Sequence, residues 1–326
     1  MASTETSWPA VSHGKRVLFT GGGGAGSEAL NRLLGERYEV HFADADIEAK
    51  PYSVPQERWH QIPFASDHDF GKKVHQLCCD LEVSILIPSV DEELLPISQT
   101  REAMGCEVLL PPTEFISAHL DKLTSNLLLN RYGVPVPQTE LPSARQCVSF
   151  PCIAKPRKGR GSRGVAIVHS DHELRSHLML SRCQPEDFIV QELLQGQEYT
   201  VMMAADRAGT LRAVVPVKVG IKRGITLRAE TDRDERVIAA CVAIHAAEPA
   251  AGCYNIQLFK TETGTVKPFE INPRISTTAC LALAAGIDFI DIYRGGSDNQ
   301  GLGRIGLLPF HDHLGLRRSW HNEFLG

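Results

Sequence analysis

Residues 253–276 read CYNIQLFKTETGTVKPFEINPRIS. The alternation predicts two strands, 254–259 and 266–272, joined by a turn. Glu270 and Asn272 are two apart, so on a strand both side chains leave the same face. Gln257 lies on the preceding strand, and its place depends on the loop. A two-residue loop at Thr263-Gly264 sets Gln257 opposite Glu270; a four-residue loop at 261–264 sets it opposite Pro268 on the same face. A three-residue loop turns it away. Two of the three registers therefore gather three oxygen donors. One carboxylate and two amides are too few for a dedicated cage, but they suit Mg²⁺, which keeps waters and takes further oxygens from nucleotide phosphates. Pro273 stops the strand. Arg274 follows, and its guanidinium can meet a phosphate or carboxylate with two bonds. Taken alone, the hairpin is equally compatible with a solvated surface.

Upstream, KPRKGRGSRGV at 155–165 joins two strand-like runs, 152–155 and 165–168. Gly159, Gly161 and Gly164 let backbone N–H groups approach an anion, with Ser162 between them. Arg157, Lys158, Arg160 and Arg163 supply charge. No GK[ST] follows, so this is not a P-loop; it reads as a flap over phosphates or as a mobile basic hairpin tip. Lys155 sits inside the strand, where a lysine needs a partner, and a phosphate is a good one. Near the N-terminus, RVLFT (16–20) reads as a buried strand entering a glycine run. Gly21, Gly23 and Gly26 satisfy GxGxxG, with Asp44 and Asp46 at the end of the next strand, 38–43. That meets the dinucleotide fingerprint; a tight turn with close helix packing explains the same glycines.

Two polar groups are candidates for holding substrate. Ser89, Asp91, Glu92 and Glu93 follow a strand at 83–87, where open α/β sheets bind ligands. They can hold an amine, or merely complement a helix dipole. Lys218, Lys222, Arg223 and Arg228 follow a strand at 211–219 and can hold a carboxylate, or form a solvated basic loop. His169, His172 and His177, and His311 with His313, lack the partners of a zinc site and read as surface residues.

Strands alternate with helices up to Pro111-Pro112, which implies a parallel sheet over 1–112. A small α+β unit follows over 113–190, opening with a helix at 115–132. A β-rich part spans 191–326, with one helix at 232–247; the last 25 or so residues have no clear pattern. The chain has 326 residues, 43% hydrophobic and 22% charged, as expected of a soluble globular protein of two lobes and a lid. With 34 basic against 39 acidic residues, a nucleic-acid coat or a polybasic membrane tether is not expected. The nine cysteines include no CxxC, and the first fifteen residues hold no apolar leader. Free thiols in a cytoplasmic setting are the expectation. No apolar run approaches the length of a membrane span.

Taken in order, the glycine-turn domain, HLDKLTSNLLLNRYGVPVPQT, AKPRKGRGSRGV, VQELLQGQEYTV and NIQLF…FEINPRIS resemble ATP-grasp proteins. The likeness is to the carbamoyl-phosphate-synthase large-subunit branch and to small carboxylate–amine ligases, over nearly the whole chain. It implies an ATP-grasp fold: a Rossmann-like parallel-sheet domain, a small α+β lid and an antiparallel-sheet catalytic part. By resemblance, Lys122 and Lys155 contact phosphates, and 159–164 is the mobile loop over the β- and γ-phosphates. Gln191, Glu192, Leu193 and Leu194 form the hinge that reads adenine, and Glu198 grips the ribose. Gln257, Glu270 and Asn272 hold Mg²⁺, with Glu270 bridging two ions and Mn²⁺ able to substitute. Arg274 stabilises the transferring phosphoryl group. Many relatives place an acid where this chain has Gln257, which lowers the site's negative charge by one.

The resemblance implies an ATP-dependent ligase that makes an acyl-phosphate from a carboxylate and couples it to an amine. Both substrates would be small molecules, and a homodimer through the N-terminal domain rests on the likeness alone. Three other readings stay open: phosphorylation of bicarbonate or another small carboxylate, an NAD(P)-dependent oxidoreductase, and a non-catalytic ATP sensor.

Overall fold

The computed structural model describes residues 15–296 and 306–319. Arg16–Thr20 is buried at four of its five positions, because it is the middle of a parallel sheet covered on both faces. The spatial order is Trp59–Gln61, Glu39–Asp44, Arg16–Thr20, Ile85–Ile87, Glu107–Val108, all parallel. The chain reverses direction across this sheet between Arg16–Thr20 and Ile85–Ile87, so the loops after these strands open one crevice.

A second, four-stranded antiparallel sheet runs Thr139–Glu140, Phe188–Glu192, Cys152–Pro156, Ala166–Val168. A third has six strands: Val266–Asn272, Gly252–Lys260, Gln197–Ala205, Leu211–Arg223, Ile225–Thr231, Gly315–Arg317. Its strand Gln197–Ala205 divides its side chains between two cores. Tyr199, Val201 and Met203 pack with Val237, Cys241 and Ile244 of the helix Glu235–Ala247. Met202 and Ala204 face the opposite way, into a core shared with Val17, Phe19 and the helices Ala279–Ala284 and Phe289–Arg294. That shared core fixes the parallel sheet against the antiparallel one.

Two expectations are corrected. The single helix at 115–132 is two, Thr113–His119 and Lys122–Arg131. Asp121 takes an extended conformation between them, and its carboxylate accepts from the Leu123 and Thr124 amides, so an N-cap breaks the run. The strand expected at 211–219 continues to Arg223, turns at Gly224 (φ 71°) and returns as Ile225–Thr231, which the sequence reading missed. Of the unplaced C-terminal residues, Gly315–Arg317 forms an edge strand.

Candidate active site

The hairpin brings Gln257 opposite Glu270 and Asn255 opposite Asn272, but by a route the sequence reading did not foresee. Thr261 and Thr265 close a three-residue loop, with the Thr261 amide donating to the Thr265 carbonyl at 2.9 Å and Gly264 at φ 84°. That loop alone would turn Gln257 away. A bulge at Phe269 inserts one residue between the pairs Leu258–Pro268 and Gln257–Glu270 and restores the alignment. Gln257, Glu270 and Asn272 therefore line one cleft of about 290 Å³, with Phe259 and Phe269 beside them. The two rings pack at 5.7 Å between centroids.

Around these donors stand three lysines. Lys122 opens the helix Lys122–Arg131; its ammonium lies 3.8 Å from Glu270 Oε1 and donates to the Gly159 carbonyl at 2.8 Å. Lys155 is 5% exposed, with its ammonium 5.2 Å from the centre of the Phe269 ring. Burial pushes its pKa down to about 8; Glu270 opposes this, and Lys122 and Lys222 reinforce it. Lys222 bridges Glu198 Oε1 at 2.5 Å and Gln257 Oε1 at 3.3 Å. A concentration of buried cations beside few carboxylates is matched to a polyanion.

The glycine loop roofs the cleft with Gly159, Gly161 and Ser162, and with Arg160 and Arg163. Gly159, Gly161 and Gly164 all have positive φ, which suits glycine; Ser162 shares that region at φ 58°. Gly164 belongs to the loop but does not line the cleft; its carbonyl bonds His177 Nε2 at 3.0 Å. Arg157 anchors the loop's start through Asp121, at 2.6 Å. Across the cleft, Gln191, Glu192, Leu193, Leu194 and Glu198 complete the wall. Gln191 donates to Thr139 Oγ1 at 2.8 Å, and Glu192 receives Lys267 at 2.8 and 2.9 Å. Leu193 and Leu194 lie between strands, outside any ladder, which leaves their peptide groups available to a ligand.

A larger cavity, about 710 Å³, adjoins the first and shares Arg160, Lys222, Gln257 and Arg274 with it. Its other side is the crevice of the parallel sheet: Gly21, Gly23, Gly24, Gly26, Asp44, Asp46, Ser89, Glu92 and Glu93. Arg274 Nε donates to Asp91 Oδ1 at 2.5 Å, and Arg160 Nε to Glu92 Oε2 at 3.1 Å. Thr20 donates its hydroxyl to Glu93, whose carboxyl burial pushes up to about 8. The glycine run serves packing here. A Cβ on Gly23 would come 2.5 Å from Ala49 Cβ, and the Gly23 amide donates to Asp44 at 2.9 Å. Asp44 also accepts from the Asp46 amide at 3.0 Å, so the acid of the dinucleotide fingerprint is engaged in holding its own turn.

Of the four cations on the 211–228 stretch, Lys222 reaches both cavities. Lys218, Arg223 and Arg228 line neither; Lys218 pairs with Glu230 at 3.2 Å, nearly half exposed. Bulges at Val219/Ile221 and Ile221/Lys222 reset the alternation and turn Lys222 inward. Asn255 was also missed, although it shares the two-residue spacing of Gln257. Among the described residues no three His, Cys, Asp or Glu side chains are placed to hold a metal ion. Any divalent ion here would rest on Glu270 with the amides Gln257 and Asn272, a donor set that fits Mg²⁺ carried by phosphates.

Residues 184–301 match a family model described as ATP-grasp in the biosynthetic pathway with Ter operon. The carbamoyl phosphate synthase large chain of Methanoculleus marisnigri is 30% identical over 323 residues, covering 85% of this chain and 29% of that one. The D-alanine–D-alanine ligase of Petrotoga mobilis is 31% identical over 102 residues, covering 31% of this chain and 34% of the ligase. The chain thus spans about a third or less of these relatives' length. Among solved structures, an N5-carboxyaminoimidazole ribonucleotide synthetase in complex with ADP superposes with a TM-score of 0.68 at 14% identity, covering 92% of this chain and 79% of that one. L-amino acid ligase from Bacillus licheniformis gives 0.65 at 15%, covering 86% and 73%. By its three-sheet arrangement, the order of its motifs and these likenesses, the chain has the ATP-grasp fold, and residues 184–301 carry the match to an ATP-grasp family model.

Proposed function

We propose that this chain is an ATP- and Mg²⁺-dependent ligase that activates a carboxylate as its acyl-phosphate and couples it to an amine, releasing ADP and phosphate. The observation that carries the reading is the meeting of Gln257, Glu270 and Asn272 with Lys122, Lys155 and Lys222 in one cleft beneath the glycine loop. The division into 1–112, 113–190 and 191–326 goes with it, with the strand Phe188–Glu192 of the four-stranded sheet running across the second boundary.

Each role follows from position. The peptide groups of Leu193 and Leu194 read the adenine edge, and Glu198 takes the ribose hydroxyls once Lys222 is drawn to phosphate. Lys122 and Lys155 bind phosphate oxygens. Gln257, Glu270 and Asn272 hold Mg²⁺, which when bound neutralises charge on the phosphates. Mn²⁺ has the same preference for oxygen donors and fits the same three. Arg274 lies where the two cavities join and faces the transferring phosphoryl group, spreading its charge. The loop 157–165 excludes water from the acyl-phosphate. The second cavity receives the small-molecule substrates, and its volume of about 710 Å³ far exceeds the needs of bicarbonate, which favours a ligase over a carbamoyl-phosphate-type reaction.

The test is ADP release from MgATP across a panel of carboxylates and amines, with mass analysis of products. Glu270→Ala should lower the rate at least a thousandfold while circular dichroism stays unchanged. ADP release at the native rate in this variant would refute the assignment.

A further inference from the structure

Arg274 is held at its backbone and at its side chain by different parts of the fold. Its amide donates to the Asn272 carbonyl at 2.8 Å, and its carbonyl accepts from Nδ2 of the buried Asn255 at 3.0 Å. The hairpin itself thus fixes the backbone. In the side chain, Nη1 donates to the Ile275 carbonyl at 3.0 Å and Nε donates to Asp91 Oδ1 at 2.5 Å. Nη2 has no acceptor among the described residues, where no buried side-chain nitrogen is left without a partner. Nη2 is therefore open to the junction of the two cavities that Arg274 lines. A guanidinium is planar, so the bonds at Nε and Nη1 set the direction in which Nη2 is presented.

Asp91 opens the helix Asp91–Gln99, where three successive acids diverge: Asp91 to Arg274, Glu92 to Arg160, Glu93 to Thr20. Glu92 and Glu93 line the second cavity. Asp91 lines neither, and its side chain is 11% exposed. An amine held in either cavity does not reach it, so its influence on a ligand passes through Arg274. The contact is made at Nε alone. A carboxylate gripping both Nε and Nη2 would cover the edge that a phosphoryl group needs. Without Asp91 the guanidinium has one other attractor in the first cleft. Of the acids there, Glu192 is bonded to Lys267 and Glu198 to Lys222, whereas Glu270 has no cation closer than Lys122 at 3.8 Å among the described residues.

We propose that Asp91 is a positioning residue for phosphoryl transfer: it holds Arg274 by Nε so that Nη2 meets the transferring group, and it keeps the guanidinium off Glu270. The inference rests on the ligase reading for the identity of that step. Asp91 lies outside residues 184–301, so no role for it comes with the family match.

The experiment uses the full chain and two readouts. In protein labelled with ¹⁵N-arginine, the Nε–H signal of Arg274, identified by its loss in Arg274→Lys, should exchange with solvent about tenfold faster in Asp91→Ala than in the wild type. By calorimetry, aluminium fluoride, a mimic of the transferring phosphoryl group, is then bound to the protein with saturating MgADP. Asp91→Ala should weaken that binding roughly a hundredfold. Asp91→Asn, which keeps an oxygen for Nε, should stay within about tenfold of the wild type. MgADP alone should bind all three equally. Should Asp91→Ala fail to fold, Asp91→Ser, one bond shorter, takes its place. Unchanged aluminium fluoride binding in Asp91→Ala, tighter binding in either variant, or an equal loss in both overturns the proposal, as does a parallel loss of MgADP affinity. A wild type that binds MgADP and gains nothing from aluminium fluoride also overturns it, and leaves nucleotide binding standing. A wild type that does not bind MgADP refutes the ligase reading instead, and the exchange rates still decide whether Asp91 holds Arg274.

Discussion

Replacing Lys155 by methionine should make the unliganded protein more stable while destroying its affinity for nucleotide. Lys155 is 5% exposed, and burial holds its pKa at about 8 against 10.5 for the free side chain. Its folded pKa is depressed, so between about 8 and 10.5 the unfolded chain binds more protons, and stability rises with pH through that window. At pH 7 the shift corresponds to roughly 3 kcal/mol of destabilisation from keeping the ammonium charged. The contact with the Phe269 ring offsets about 1 kcal/mol of this, leaving a net of about 2 kcal/mol. Methionine has a similar length, carries no charge and can pack on the same ring. Lys155→Met should therefore gain about 2 kcal/mol at pH 7 in chemical denaturation without ligand. The gain should shrink between about pH 8 and 10.5 and be lost above that, where the wild-type lysine is neutral in both the folded and the unfolded state. MgATP should stabilise the wild type and not the variant. A variant less stable than wild type at pH 7, or a gain independent of pH, would show that Lys155 is not held charged against its burial.

Three further outcomes follow from the geometry. Asp121→Ala removes both an N-cap and the partner of Arg157, so stability should fall by about 1–3 kcal/mol, and the KM for ATP should rise as Lys122 loosens; denaturation and steady-state kinetics measure each. Gly23→Ala forces a Cβ to within 2.5 Å of Ala49 Cβ and should cost about 1–3 kcal/mol, with MgATP affinity unchanged; an affinity loss equal to that at Lys155 would place the nucleotide on the glycine turn instead. Gln257→Glu adds a carboxylate beside Glu270 and should lower the Mg²⁺ concentration for half-maximal ADP release several-fold; a higher requirement would mean Gln257 does not face the metal.

Much of the fold and of the cleft beneath the glycine loop could be read from residue order, because the relevant periodicities are local. A two-residue spacing puts Glu270 and Asn272 on one face wherever the strand sits. A glycine-rich basic segment between two apolar runs has few conformations other than a loop. The apolar run at 16–20, followed by glycines, belongs in a buried parallel strand. Local patterns do less well where a single residue changes the parity. The three-residue turn by itself would have separated Gln257 from Glu270, and the bulge at Phe269 reversed that. The bulges near Ile221 did the same for Lys222, whose neighbours Lys218 and Arg223 read just as plausibly in sequence. Bulges form where a strand must fit partners on both sides, which no single segment encodes.

The second cavity was the least legible part. Asp91 and Arg274 are 183 positions apart and meet at 2.5 Å; Arg160 and Glu92 are 68 apart and meet at 3.1 Å. Nothing in either segment names its partner. Those pairs exist because Met202 and Ala204 pack with Val17 and Phe19 in one shared core, which sets the mouth of the parallel sheet against the antiparallel face. Spacing along the chain establishes which way a side chain points, since backbone geometry repeats every two or 3.6 residues. Which charge it will meet there depends on how separate sheets bury their apolar faces together, an interaction with no direction and no sequence period of its own.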